Sequence, residues 1–158
     1  MLFESGISTP LQALGVKEST ANSIAGWSVF AGSLAVGKMS SVRGLRAAEG
    51  LSNAEIVEKA GEKAFRNILG KGPIVGIERH EYATEMIERY QNLYGSRGLL
   101  PKVRSADGKA ILDILDSQNS IIYDWKFGNS ARMSNTQFLK YQFYFPDNQI
   151  IPLLYKYP

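Results

Sequence analysis

The sequence predicts a mixed α/β (α+β) fold over residues 73–158, preceded by a helical segment over residues 1–72. Three observations support this prediction. Apolar residues recur with helical spacing over 78–94, two short apolar runs joined by a polar turn follow over 110–128, and a last apolar run covers Gln149–Tyr155. A short strand precedes the two runs and a short helix follows them. The predicted order is therefore helix, three strands, helix, strand.

The composition is that of an ordinary soluble globular protein, with 158 residues of which 44% are hydrophobic and 21% are charged. The net charge of +3 permits a nucleic-acid partner but is too small to indicate one by itself. The chain has no cysteine, which excludes a disulfide framework, a zinc ribbon and a thiol nucleophile. Its single histidine excludes most histidine-rich metal sites, and we expect no signal peptide because no such pattern is present.

Residues 1–72 are rich in Gly, Ala and Ser and contain no tyrosine, so we interpret them as a helical entry or linker segment. Helix starts are predicted at Pro10 and after Ser52, where Glu55 completes a capping box. The stretch over 20–36 is apolar, but it is short and diluted by glycine. We therefore expect a buried or interfacial helix there and no stable membrane insertion. No candidate metal ligand lies in this segment.

The domain boundary is predicted at residues 71–76, where Gly and Pro are concentrated. The helix over 78–94 follows and ends at Gly95, a residue typical of a helix C-terminus. Its polar face carries several glutamates, most of which are expected to face solvent. We expect one of them, Glu81 or Glu85, to reach the strands that follow and to complete a catalytic site.

The strands come next. Residues 99–104 are predicted to form a first strand at an edge of the sheet, because Pro101 lacks a backbone N–H. The apolar pair over 110–128 supplies the next two strands. A helix beginning at Ser134 or Asn135 then leads to the final strand, Gln149–Tyr155.

The two strands over 110–128 carry the residues most suggestive of chemistry. Asp124 and Lys126 are two apart, so a strand points both side chains to the same side. If Asp116 pairs with Ile121, the loop is tight and Asp113 falls opposite Asp124. Two carboxylates and a lysine then share one face, an arrangement suited to metal-assisted phosphodiester hydrolysis. A single Asp-x-Lys motif is more often an ordinary ion pair on a solvated surface.

Each of these residues has a predicted role. Asp113 and Asp124 supply the hard oxygen ligands that Mg²⁺, or Mn²⁺, requires, and the backbone carbonyl of Trp125 is a further candidate ligand. Lys126 is predicted to orient the attacking water, to help deprotonate it and to neutralise charge that develops on the phosphorus centre.

Substrate contacts are predicted on both sides of this site. Gln137 and Tyr141 are four residues apart, hence on one face of a helix, and both can donate hydrogen bonds to phosphate oxygens. Core packing for Tyr141 and solvent exposure for Gln137 remain open alternatives. Basic residues around the first two strands are candidates for tracking a phosphate backbone: Arg97, Lys102, Arg104 and Lys109. His80 is interpreted as a helix-start residue rather than a base.

This arrangement resembles the PD-(D/E)xK, or restriction-endonuclease-like, nuclease superfamily, whose core has the order αβββαβ. Asp113 matches the first acid, and Asp124 with Lys126 matches the (D/E)xK element. Gln137 and Tyr141 match the QxxxY element of the RecB-type nucleases in that superfamily, in which these two residues contact the substrate backbone. Leu112 stands where the Pro of the first motif is expected. The resemblance covers approximately residues 78–155.

Residues 80–99, 112–116 and 123–129 are also similar to endonuclease toxin modules of bacterial polymorphic and contact-dependent inhibition systems. That similarity implies a larger secreted protein, delivery into the cytoplasm of a neighbouring cell and a dedicated immunity protein. DNA is the favoured substrate. The alternatives are a tRNA-cleaving toxin of the same fold and a non-catalytic module that binds nucleic acid or protein.

Overall fold

The computed structural model describes residues 50–157 of the chain. The elements in this range are, in chain order, α1 (Asn53–Asn67), α2 (Pro73–Tyr94), β1 (Leu99–Pro101), β2 (Ile114–Asp116), β3 (Ile121–Phe127), α3 (Asn135–Tyr144) and β4 (Gln149–Tyr155). The mixed α/β class and the predicted order from α2 onward are confirmed. The helices predicted near Pro10 and over 20–36 lie outside the described residues. None of the helices within 50–157 has the length and apolar character of a membrane-spanning segment.

The strands form one mixed sheet in the order β1-β2-β3-β4. The first two pairings are antiparallel, and β3 pairs with β4 in parallel. Asp116 pairs with Ile121, which confirms the predicted register. The loop between them is tight because Asp116 Oδ1 accepts hydrogen bonds from the backbone N–H groups of Gln118 and Asn119, both at 3.1 Å.

The first strand is shorter than predicted. Regular pairing stops at Pro101, and only a single bridge between Arg104 and Ile111 continues it. Lys102 has φ 54°, a left-handed conformation that interrupts an extended strand. Its backbone N–H instead donates to the Asp113 carbonyl at 3.0 Å, which ties this bend to the segment entering β2.

Helix α1 belongs to the same compact unit as the sheet, since that unit extends from Asn53 to Pro158. The buried face of α1 includes Val57, whose carbonyl accepts a hydrogen bond from Trp125 Nε1 at 3.1 Å. The structure therefore differs from the predicted boundary between residues 72 and 73. The Gly and Pro residues there form the turn between two packed helices and do not separate two domains.

Helix α2 begins earlier than predicted, with Pro73 at its first positions directly after Gly72. It ends as predicted, because the Gly95 N–H donates to the Gln91 carbonyl at 2.9 Å. The buried side chains of α2 are Arg79, Ala83, Thr84, Met86, Ile87 and Tyr90.

The two faces of β3 contact different helices. The Trp125 side packs against α1 and α2. On the other side, Ile122 joins a small apolar core with Ala110, Leu112 and Tyr141 of α3. The side chain of Ser134 caps α3 by accepting a hydrogen bond from the Gln137 N–H at 3.2 Å, which sets the start of the helix. Gln137 and Tyr141 contact Asp124 of β3.

Candidate functional site

Asp124 is the centre of the candidate site and is only 1% exposed. Its Oδ1 accepts hydrogen bonds from Tyr141 Oη at 3.0 Å and from Gln137 Nε2 at 3.2 Å. Its Oδ2 lies 2.5 Å from Lys126 Nζ. Lys126 is the partner of this buried oxygen among the described residues, and its charge lowers the pKa of Asp124. A buried carboxylate oxygen whose partner is a cation lies where positive charge is stabilised.

Asp113 lies beside Asp124, as the register predicts, because Ile114 pairs with Tyr123 and the next opposed positions are 113 and 124. Its Oδ2 accepts a hydrogen bond from the Trp125 N–H at 2.8 Å. Its Oδ1 lies 3.2 Å from His80 Nδ1 on α2. The carboxylate is therefore held between the backbone of β3 and a helix side chain.

The electrostatics of the pair favour an added positive charge. The pKa of Asp124 is raised above its ordinary value, first because the carboxyl is buried and then because Asp113 is close; Lys126 and the Tyr141 hydroxyl oppose this shift. Burial, followed by the charge of Asp124, also raises the pKa of the Tyr141 phenol. A cation between the two carboxylates relieves both the repulsion and the lost hydration.

Tyr141 and Gln137 support Asp124 in this structure. The Tyr141 hydroxyl has one proton and two acceptors at 3.0 Å, Asp124 Oδ1 and the Ile111 carbonyl, so it donates to one of them at a time. Gln137 Nε2 donates to the same hydroxyl at 2.9 Å. Both residues were predicted to contact substrate, and in this structure both position the Asp124 carboxylate. Their contact with substrate stays a prediction.

The predicted basic residues are only partly gathered at the site. A cleft of about 360 Å³ runs beside Gln137 and Tyr141, and Lys109 lines it. Lys102 and Arg104 are exposed on the segment after β1 and are not among the described residues that line the cleft, although Arg104 forms a bridge with Ile111, which lines it. Lys140, which sequence reasoning missed, lines the cleft together with Lys109. Its signal was its position three residues after Gln137, on the same helix face.

The structure does not bring Glu81 or Glu85 to the carboxylates. Both are exposed, and Glu85 forms an ion pair with Arg89. His80 is the α2 side chain that reaches Asp113. Its ring is held edge-on by Phe127, with the ring centroids 5.1 Å apart. The signal for His80 was its place on the apolar stripe of α2, four and seven residues before the buried Thr84 and Ile87.

The donor set suits magnesium better than a metal that needs a complete protein cage. Among residues 50–157, no three His, Cys, Asp or Glu side chains are grouped as a ready-made metal site. The two carboxylates of Asp113 and Asp124 are enough for the common magnesium arrangement, in which one or two carboxylates bind the ion and water and substrate phosphate complete its coordination. The peptide of Trp125 adjoins Asp113, and its carbonyl remains a predicted ligand.

No family model, no curated protein and no solved structure matches this chain. What the site can do therefore follows from the groups it presents. These are two adjacent carboxylates, one of them buried, a lysine in contact with the buried one, and a cleft bordered by two further lysines.

Proposed function

We propose that this protein is a metal-dependent endonuclease that hydrolyses phosphodiester bonds, with DNA as the favoured substrate. The observation that carries the proposal is the pair formed by the buried Asp124 and the partly exposed Asp113, with Lys126 in contact with Asp124 Oδ2. A purely structural ion pair does not require a second carboxylate beside it. A divalent cation does benefit from one.

In this proposal, Asp113 and Asp124 hold Mg²⁺ or Mn²⁺, which when bound polarises the phosphate and activates water. Lys126, with 20% of its side chain exposed, is close enough to orient the attacking water and to neutralise the charge that develops on the phosphate oxygens. Tyr141 and Gln137 keep Asp124 in place through Oδ1, and His80 does the same for Asp113.

The element order and the Asp-x-Lys strand support a PD-(D/E)xK-like core within residues 73–155. On the same basis we propose a toxin module of the polymorphic or contact-dependent type. It is delivered as part of a larger protein into the cytoplasm of a target cell, and a cognate immunity protein neutralises it in the producing cell. The basic net charge of +3 is compatible with a nucleic-acid substrate.

The test is to incubate the full chain, freed of any bound inhibitor, with supercoiled plasmid and in parallel with total tRNA. Each substrate is assayed with Mg²⁺, with Mn²⁺ and with EDTA. Metal-dependent nicking of the plasmid supports the proposal. If only tRNA is cleaved, the protein is a tRNA-cleaving enzyme and DNA is not its substrate. If neither substrate is cut under any of these conditions, the nuclease proposal fails and the non-catalytic binding module takes its place.

Two matched variants show whether cleavage belongs to this site. Asp124→Asn removes one candidate ligand, and we expect it to abolish cleavage because a neutral amide is a poorer magnesium ligand. Asp116→Asn makes the same chemical change at another fully buried aspartate, outside the site. Its folded fraction is expected to cut normally. Equal loss in both variants would assign the effect to folding.

A further inference from the structure

A second concave region lies at the beginning of α2. It is a cavity of about 490 Å³, and its polar lining includes Lys71, Arg79, Asn129, Ser130 and Tyr157. No Asp or Glu is among the described residues that line it. Phe127 links it to the candidate active site, because this lining ring lies 5.9 Å from Arg79 Cζ and 5.1 Å from the ring of His80.

Arg79 gives this cavity a buried positive charge. It is 3% exposed, and its Nε and Nη2 donate to the Ile68 carbonyl at 3.0 and 2.8 Å. Nη2 also reaches the Gly70 carbonyl at 3.2 Å and Tyr157 Oη at 2.6 Å. Within residues 50–157, no carboxylate pairs with the guanidinium, whose other neighbours are the rings of Phe65, Phe127 and Tyr157. The buried charge is therefore held by carbonyl dipoles and ring faces without a counter-ion, and an anion at this place is stabilised.

The other lining groups add to this preference. Lys71 Nζ lies 5.5 Å from the ring centroid of Tyr157, so a second cation faces the cavity. Gly76 leaves open space at this edge of the cavity, because a side chain there would have no neighbour within 4 Å. Asn129 and Ser130 supply further hydrogen-bond donors. Two cations, neutral donors and no acid make a site for an oxyanion.

We propose that this cavity binds a phosphate group of the nucleic-acid chain, one that flanks the scissile phosphate at Asp124. That the phosphate belongs to a nucleic acid rests on the proposed nuclease function. That the cavity binds a phosphate group rests on the residues that line the cavity. Free inorganic phosphate presents the same chemistry and is the alternative source.

Gly76 allows a matched pair of variants. Gly76→Ala adds a methyl group into open space, and alanine favours the helix over glycine. Gly76→Asp occupies the same space with a carboxylate, which repels an anion and, three residues before Arg79 on the helix, competes with it for that cation. A second pair compares Lys71→Ala with Lys156→Ala, an exposed lysine that does not line the cavity.

Binding is measured by fluorescence anisotropy of a labelled DNA duplex, with each variant also carrying Asp124→Asn so that no cleavage occurs. We expect Gly76→Asp to bind about tenfold more weakly than Gly76→Ala. Lys71→Ala is expected to lower the slope of log K against log salt by about 1, because one phosphate contact is lost, while Lys156→Ala leaves the slope unchanged. In the cleaving protein, Gly76→Asp should raise KM and leave kcat unchanged, since a flanking phosphate is bound equally in the ground and transition states.

Inorganic phosphate provides the second measurement, read as the Tm of each Gly76 variant against phosphate concentration. A Tm rise in Gly76→Ala that Gly76→Asp lacks, together with the difference in duplex affinity, supports the proposal. A difference toward phosphate without one toward duplex overturns it in favour of a free-phosphate site, and equal behaviour in both assays overturns it outright. If the unmodified chain cuts no nucleic acid but the Gly76 pair differs in duplex affinity, the nuclease function fails and the phosphate site stands.

Discussion

Asp124→Asn is expected to make the metal-free protein more stable at neutral pH while it abolishes cleavage. Ordinarily, replacing a buried, ion-paired side chain lowers the free energy of unfolding. Here the pKa of Asp124 is raised despite its contact with Lys126, so burial and the neighbouring Asp113 together outweigh the attraction of the lysine. The asparagine keeps an oxygen for Tyr141 and Gln137, which preserves the hydrogen bonds at Oδ1.

The magnitude combines the burial of Asp124, its repulsion by Asp113 and its attraction to Lys126. Side chains directly opposite across two antiparallel strands have Cβ atoms about 5 Å apart, and two unit charges about 6 Å apart repel by about 3 kcal/mol at an effective dielectric constant of about 20. At the same dielectric constant the lost attraction of Lys126, 2.5 Å from Asp124 Oδ2, exceeds this repulsion, so the net gain depends on the relief of burial, the largest cause of the raised pKa of Asp124. We therefore expect a net gain on the order of 1 kcal/mol, which in a domain of this size raises Tm by about 4 °C.

The pH dependence has a defined sign. Because the folded pKa of Asp124 lies above its ordinary value of 3.8, the folded state binds more protons than the unfolded state between those two values. Wild-type stability from this group therefore falls as pH rises through that window and is constant above it. The gain in the free energy of unfolding from Asp124→Asn should be near zero at pH values below the ordinary pKa of Asp124, and it should reach its full size above the raised pKa.

The assay is a set of thermal melts in EDTA across this pH range, repeated with Mg²⁺ and run beside the plasmid assay. Mg²⁺ at ten times its Kd adds about 1.4 kcal/mol to the wild type and little to the mutant. Asp116→Asn is the control: Asp116 accepts hydrogen bonds from Gln118 and Asn119, so this variant should lose about 1–3 kcal/mol. The metal-site reasoning is refuted if Asp124→Asn melts well below the wild type in EDTA at neutral pH and still cuts.

Three further predictions concern the groups around this pair. Glu81→Gln and Glu85→Gln should leave kcat unchanged, because both side chains are exposed, whereas His80→Gln should lower activity by about tenfold because it supports the candidate ligand Asp113. The measurement is the rate of plasmid nicking. A loss of activity in Glu81→Gln alone would show that Glu81 is the catalytic acid predicted from the sequence. Tyr141→Phe should lower the free energy of unfolding, measured by urea titration, by about 1 kcal/mol. It should leave the phenolate absorbance below about pH 11 unchanged, because burial and Asp124 raise the pKa of the Tyr141 phenol. A smaller absorbance in the variant would show that Tyr141 ionises in that range. A fragment starting at Pro73 should fail to fold, because it lacks the fully buried Ile56 and Val57 and exposes Trp125. The burial of each of those two side chains contributes about 1.5–3 kcal/mol to the stability of the fold. A cooperative thermal melt of the fragment would contradict this prediction.

The sequence was sufficient for the parts of the site that depend on short-range geometry. The period of a strand places Asp124 and Lys126 on one side, and the tight loop after Asp116 leaves one register for the hairpin, which brings Asp113 opposite Asp124. The order of elements after α2 also followed from local periodicity and from Gly, Pro and Ser at the ends of elements. These features involve residues close in the chain, so the pattern alone determines them.

Only the tertiary structure decided which distant groups meet this hairpin. Periodicity places His80 and Glu81 on one helix, but the rotation at which α2 packs on β3 brings the histidine to Asp113 and leaves the glutamate in solvent. The packing of α3 likewise turns Tyr141 onto Asp124, and the burial that this packing creates raises the pKa of the carboxylate. Burial and long-range contact depend on how whole surfaces fit together, and no local pattern in the chain contains that information.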